Sequence, residues 1–271
     1  MNLNSTNQSS FDPGLNIFPT TTPLGFRLGE NTFGPQPEIR TLDAIRPSLQ
    51  DPNCTGPDEV YAIMMDVGKP SHHNDLLDRH LLFGVVTYAT GQLGQEPIRS
   101  QGHTHAKNPR NGVRTPEVYE IWQGRAVILM QEKCIANDSD AGQCYAIEAG
   151  PGQVVIVPPG WAHATISADP SQPLTFGAWC DRDYAFDYDD VRAHNGLAFF
   201  PKLNLGRTLQ FEHNPTYQNY TELIRRPPRP YTELKIDPDI PIYLQYEQSP
   251  SRFDFVPNPD SVHDAWTRFI P

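Results

Sequence analysis

Twenty-eight prolines stand in 271 residues, roughly twice the usual share of about 5%. Proline removes a backbone donor and breaks both helix interiors and central strands, so a chain this rich in it must fold from short extended pieces and turns. The apolar residues agree. They come in strand-length runs at Val60–Met65, Leu81–Tyr88, Val118–Trp122, Ala126–Met130, Gln153–Val157 and Leu174–Trp179. Gly, Pro or Asn-Asp clusters separate them, the pattern of an all-β sandwich or barrel. Residues 1–38 are polar and rich in Ser, Thr, Asn, Pro and Gly, and read as an arm. Short helices are expected within 40–49 and at 187–193. Residues after 200 again mix proline with aromatics. The organisation expected is an N-terminal arm over 1–57, a barrel over 58–200, and an extension over 201–271 packed on the barrel or on a second subunit.

Hydrophobic residues at 38% and charged residues at 20%, with 13 Phe, 11 Tyr and 4 Trp, describe a soluble globular chain rather than a disordered one. The net charge of −11 repels nucleic acid and anionic membrane, so neither is an expected partner. Cys54, Cys134, Cys144 and Cys180 form no C-x-x-C pair and suit free buried thiols in a reducing cytoplasm. The first residues lack the basic and apolar regions of a secretory signal. The longest purely apolar runs, such as Ala126–Met130, are too short to span a bilayer.

Chemistry concentrates in two segments. The first is Gly102-His103-Thr104-His105, followed after eleven residues by Glu117-Val118-Tyr119 and then Gly124. Alternate side chains of a strand share a face, which sets His103 with His105 and Glu117 with Tyr119. Antiparallel pairing of the two segments would bring three donors to one point. The second segment runs from Gly152 through Pro158, Gly160 and His163 to Ser167. A turn at Pro159-Gly160 would start a strand that aims His163 at the same interior. A lone H-x-H is a weak signal; it is the combined spacing that points to one divalent ion held by His103, His105, Glu117 and His163. Three imidazoles and a carboxylate suit Fe, Mn, Ni or Zn. Four protein ligands leave open positions on a six-coordinate ion, as a catalytic site requires.

The G-x5-P-x-G-x2-H-x3-S segment from Gly152 to Ser167 resembles the second cupin motif, with Ser167 in place of the usual Asn. The H-x-H and E-x6-G elements resemble the first, with an unusually long connection between His105 and Glu117. Within the cupins the chain is similar to the archaeal-type, metal-dependent glucose-6-phosphate isomerases. The strings that carry the likeness are GHTHAK (102–107), EVY (117–119), VPPGWAH (157–163), DEVYAI (58–63) and the Asp187-Tyr188 pair. The resemblance covers about residues 58–200. It implies a single cupin jelly-roll barrel, the metal ligands already named, and aldose–ketose isomerisation of a sugar phosphate. Glu117 and Tyr119 would be the catalytic pair, and Tyr61, Ser100, Gly102, Lys107 and Tyr188 would meet the substrate.

The chain departs from that family where phosphate is bound. Ser100 and Gln101 replace a threonine and a lysine, Val86 a second threonine, Cys180 a tyrosine, and Phe186 a histidine. The loop AKNPRNGVRTP offers Lys107, Arg110 and Arg114 without an acid, and is either a phosphate clamp at the barrel mouth or a solvated loop. Rival readings are an isomerase, epimerase or lyase of a different, unphosphorylated sugar, an Fe(II) dioxygenase, and a non-catalytic sugar-binding cupin. Barrels of this kind pair through sheet edges, so a homodimer is expected.

Overall fold

The computed structural model describes residues 11–183 and 185–271. Two antiparallel sheets face one another. The larger has six strands in the order Val154–Val157, Glu117–Gln123, Thr175–Asp181, Leu81–Tyr88, Glu59–Met65 and Glu38–Thr41. The smaller has four, Ala162–Ser167, Ala126–Gln131, Cys144–Ala149 and Ile224–Arg226, the last added in parallel. This is the all-β barrel expected from the sequence, wrapped by segments from both ends of the chain. The short helices are Leu42–Ile45, continued by a 3-10 turn over Arg46–Ser48, and Asp189–Ala193. No helix among the described residues is long and apolar enough to cross a membrane.

Leu81–Tyr88 reads as a continuous apolar run because both faces of the larger sheet are covered. Leu82, Val86 and Tyr88 point into the barrel, beside Tyr119, Ile121, Phe176 and Cys180. Leu81, Phe83 and Val85 point outward into a second core with Val118, Trp122 and Trp179. The chain's own termini complete that outer core, with Leu15 and Ile17 from one end and Tyr243, Tyr246 and Phe253 from the other. Gly177 belongs to the same face. A Cβ there would lie 2.5 Å from Trp122 and 2.6 Å from Phe83, so the two rings close over a bare backbone. The smaller sheet is covered in turn by Val191, Leu197, Phe199 and Tyr217.

A buried carboxyl fastens the C-terminal segment. Glu120 accepts from the Ile242 backbone N–H at 2.8 Å, where the helix Ile242–Gln248 begins, and from the Trp122 indole at 3.0 Å. Burial pushes its carboxyl from the ordinary 4.5 up to about 8, against the opposing pull of those two hydrogen bonds. The unfolded chain loses this proton near the ordinary value and the folded chain near 8. Between them the folded state binds more protons, so Glu120's contribution to stability falls as pH rises and levels off above about 8. Urea denaturation at pH 5.5 and pH 8 is expected to show that negative component in the wild type and its loss in Glu120→Gln. The difference between the two proteins isolates it from other titrating groups.

Candidate metal centre

The histidine pair does not lie beside the Glu117 strand, as the spacing suggests. Thr104–His105 pairs with Phe186–Asp187. His103 bridges His163 instead: its N–H donates to the His163 carbonyl at 3.0 Å, and the His163 N–H returns a bond at 2.9 Å. Residues 98–103 therefore run along the free edge of the smaller sheet, with Ser167 N–H bonded to the Ile98 carbonyl. Glu117 reaches the same point from the opposite sheet. The donors converge across the barrel interior because two sheets face each other there. Gly102, at φ +88°, makes the bend that enters this bridge.

One ligand atom from each of His103, His105, Glu117 and His163 lies within 4.8 Å of the others. Oε2 of Glu117 is 3.2 Å from Nε2 of His105, 3.1 Å from Nε2 of His163, and accepts the Tyr119 O–H at 2.8 Å. Cys180 donates to Oε1 at 3.2 Å. Burial alone would raise the Glu117 carboxyl, but the two imidazoles against it hold it well below the usual carboxylate range. Burial, reinforced by the neighbouring rings of His163 and His105, keeps the His103 imidazole well below its usual value and so neutral. Burial, with Glu117 alongside, raises the Tyr119 phenol well above its ordinary value, so it remains a proton donor.

Ring orientation decides what the cluster is fit to hold. Nδ1 of His105 faces the Thr115 carbonyl at 2.8 Å, and Nδ1 of His163 faces the Trp161 carbonyl at 3.2 Å. Carbonyls only accept, so each Nδ1 carries the hydrogen. An imidazole that ligates a metal is neutral, and in that form both Nε2 lone pairs aim at the Glu117 oxygen, so the arrangement needs a cation between them. Nε2 of His103 is buried with no hydrogen-bond partner, a costly state for a polar atom. One cation shared by the four groups relieves all of this, and backbone carbonyls that orient ligating histidines are the usual outer support of such a site. The donor set suits a divalent metal.

The long connection between His105 and Glu117 has a local job. Arg114 donates to the Thr104 hydroxyl at 2.9 Å and to the His105 carbonyl. Buried Asn108 bonds Asp181, and Arg110 pairs with Asp181 and Asp183. The loop is thus folded onto the barrel and presents the Thr115 carbonyl to His105. Two of its three cations are already engaged, and Lys107 is exposed, so the loop is not an open phosphate clamp.

A cavity of about 50 Å³ opens beside His103. Tyr61, Ser100, Gly102, Glu117, Tyr119 and Tyr188 line it, and Lys107 does not. Val86 and Phe186 form apolar wall, as does Phe176. Arg40 also lines it. Sequence reading misses Arg40 because it stands in no motif and precedes the segment that carries the resemblance.

A family model described as glucose-6-phosphate isomerase matches residues 42–215, well over half of the chain. The chain belongs to the glucose-6-phosphate isomerase family. Relatives in that family include the glucose-6-phosphate isomerase of Thermococcus kodakarensis, 32% identical over 134 residues, which are 49% of this chain and 59% of that one. The Pyrococcus furiosus enzyme of the same name is 32% identical over 133 residues, with the same shares. A protein named putative glucose-6-phosphate isomerase 1 in Rhizobium meliloti is 26% identical over 117 residues, 43% of this chain and 49% of that one. The chain thus spans about six-tenths of the length of the archaeal family members it matches. Among solved structures, a single-site variant of the oxalate decarboxylase of B. subtilis aligns with a TM-score of 0.35 at 9% identity, over 59% of this chain and 31% of that one. An oxalate oxidase aligns at 0.33 and 13%, over 47% and 54%.

Proposed function

We propose that the chain is a metal-dependent aldose–ketose isomerase that interconverts glucose 6-phosphate and fructose 6-phosphate. The observation that carries the reading is the buried His103–His105–Glu117–His163 cluster, with an orphaned Nε2 and the Tyr119 hydroxyl on the same carboxylate. Membership of the family supplies the substrate class. A divalent ion held by the four groups, of the Fe, Mn, Ni or Zn kind, supplies Lewis-acid polarisation of the substrate carbonyl.

The chain's own groups do the proton work. Glu117 is ionised and takes the carbon-bound proton, passing through a cis-enediol and returning the proton to the neighbouring carbon. Tyr119 stays protonated and gives and recovers the hydroxyl proton at its Oη. The cavity is narrow, so a hexose phosphate requires its wall to move. Conversion of the substrate in deuterated water is expected to place deuterium on the sugar carbon. Strict retention of the original hydrogen points to a hydride shift instead.

The test is a coupled assay of glucose 6-phosphate formed from fructose 6-phosphate. It is run on the protein as isolated, after chelation, and after reloading with Mn(II) or Fe(II). Activity is expected to vanish on chelation and return with metal. A metal-loaded protein that holds one ion per chain yet stays inactive refutes the substrate assignment. The apolar wall at Val86 and Phe186 favours a second reading, an isomerase of an unphosphorylated sugar, for which fructose is assayed alongside. The reading includes a homodimer, expected from the edge strands of such a barrel and checked by sedimentation. It also includes a reducing cytoplasm, which the four free, buried cysteines suit.

A further inference from the structure

The cavity holds one cation among its described lining residues besides the histidine, and it comes from outside the matched segment. Arg40 sits on Glu38–Thr41, the edge strand of the larger sheet, two residues before the family match begins. Its guanidinium lies among the phenols of Tyr61 and Tyr188. Tyr188 in turn meets the ring of His103, with centroids 6.0 Å apart. Arg40 thus lines the same cavity as His103 and Glu117, with a side chain only 23% exposed.

Among the described residues its one ion-pair partner is Glu38, whose side chain is 62% exposed. A half-buried guanidinium with an exposed, displaceable carboxylate is poised to exchange that carboxylate for another anion. Guanidinium matches phosphate in a two-pronged hydrogen bond, and the two tyrosine hydroxyls are further donors beside it. The need is specific to this chain. Val86 and Phe186 line the cavity where the resembled family places a threonine and a histidine, and neither side chain donates a hydrogen bond. Cys180 replaces a tyrosine and is turned onto Glu117. Arg110 and Arg114 of the long loop are engaged with the barrel.

We propose that Arg40 is the anion-binding and specificity-determining residue of this site, taking the phosphate of the sugar phosphate while Glu38 swings out to solvent. The identity of the sugar rests on the isomerase reading; binding of phosphate at Arg40 does not. Glu38 then acts as a built-in competitor that sets how tightly phosphate is held.

The experiment uses the metal-loaded full chain with Arg40→Met, Arg40→Lys and Glu38→Gln, metal content being measured for each. Inorganic phosphate is titrated by calorimetry, and fructose 6-phosphate kinetics are run in parallel. Loss of a charge-assisted pair predicts that Arg40→Met weakens phosphate binding and raises KM about 10- to 100-fold, with a much smaller change in kcat. Arg40→Lys recovers part of this, and Glu38→Gln tightens phosphate several-fold. Arg40→Met with wild-type phosphate affinity and KM overturns the proposal, as does a wild type that binds no phosphate. A wild type that binds phosphate through Arg40 but converts no fructose 6-phosphate refutes the isomerase reading and upholds Arg40. Should Arg40→Met fail to fold, the opposed shifts expected of Arg40→Lys and Glu38→Gln decide the matter, and their absence overturns it.

Discussion

His103→Ala is expected to abolish stoichiometric metal binding and, on the proposed reading, to lower isomerase turnover on the order of a thousandfold. Lewis-acid stabilisation of the transition state is worth several kcal/mol, and each 1.36 kcal/mol is a factor of ten in rate. His103 is the most informative of the four positions because its Nε2 has no partner in the protein. Replacing it removes an unsatisfied buried polar atom, which offsets part of the packing lost with the ring, so the apo variant should lose less stability than the corresponding His105 or His163 variants, even as metal affinity collapses. The same substitution at His105 or His163 would also strip a backbone carbonyl of its partner. Metal analysis of the purified variant, with urea denaturation of both apo proteins, separates the two effects. A His103→Ala protein that still carries one tightly held ion per chain would remove His103 from the ligand set.

Trp179→Ala is the second large expected effect, and it acts on the outer face of the larger sheet, the sheet that carries Glu117. Trp179 is fully buried. It stacks on Tyr243 at 5.6 Å with 12° between the planes, meets Phe83 edge-on at 4.6 Å, and packs against Tyr246 and Phe253. Its indole N–H donates to the Ile242 carbonyl at 3.3 Å. Truncation leaves a cavity between the barrel and the C-terminal segment and removes one hydrogen bond to that carbonyl. The cost expected is about 3–5 kcal/mol, or roughly 6–20 °C in melting temperature for a chain this size. Thermal and urea unfolding read it directly. A loss below about 1 kcal/mol would mean that the C-terminal segment is not bound to the barrel through this stack.

Parts of this architecture are legible in the sequence because they are local. The barrel strands announce themselves as apolar runs between Gly and Pro turns, and His103, His105, Glu117 and His163 stand at strand spacing. What local pattern cannot carry is which strand faces which. His103 finds His163 sixty residues away, and Glu117 arrives from the other sheet, so pairing the histidines with the Glu117 segment is the natural but wrong local inference. The long loop suggests a phosphate clamp through its charge alone. Two of its three cations prove to be engaged locally, Arg110 by buried Asp181 beneath the loop and Arg114 by Thr104 and the His105 carbonyl, and no periodicity encodes that. Arg40 is invisible for a related reason. It reaches the site through edge pairing of Glu38–Thr41 with Glu59–Met65, a tertiary fact with no local signature.

The reciprocal backbone bonds between His103 and His163 have a consequence for how the protein acquires its ion. Two of the four proposed ligands have their backbones joined by main-chain hydrogen bonds, and the other two are fixed by Thr115 and by the Glu117 strand, all through contacts within the chain. The fold therefore prepares a seat of set shape rather than forming around its cargo, unlike domains in which metal binding drives folding. On the proposed metal reading, loading would follow synthesis, and the ion would exchange without unfolding the chain. Because imidazole and carboxylate discriminate weakly among first-row divalent ions, occupancy then follows the pool the finished protein encounters. Preparations from cells starved of iron, manganese or zinc should differ in content and specific activity while sharing one fold.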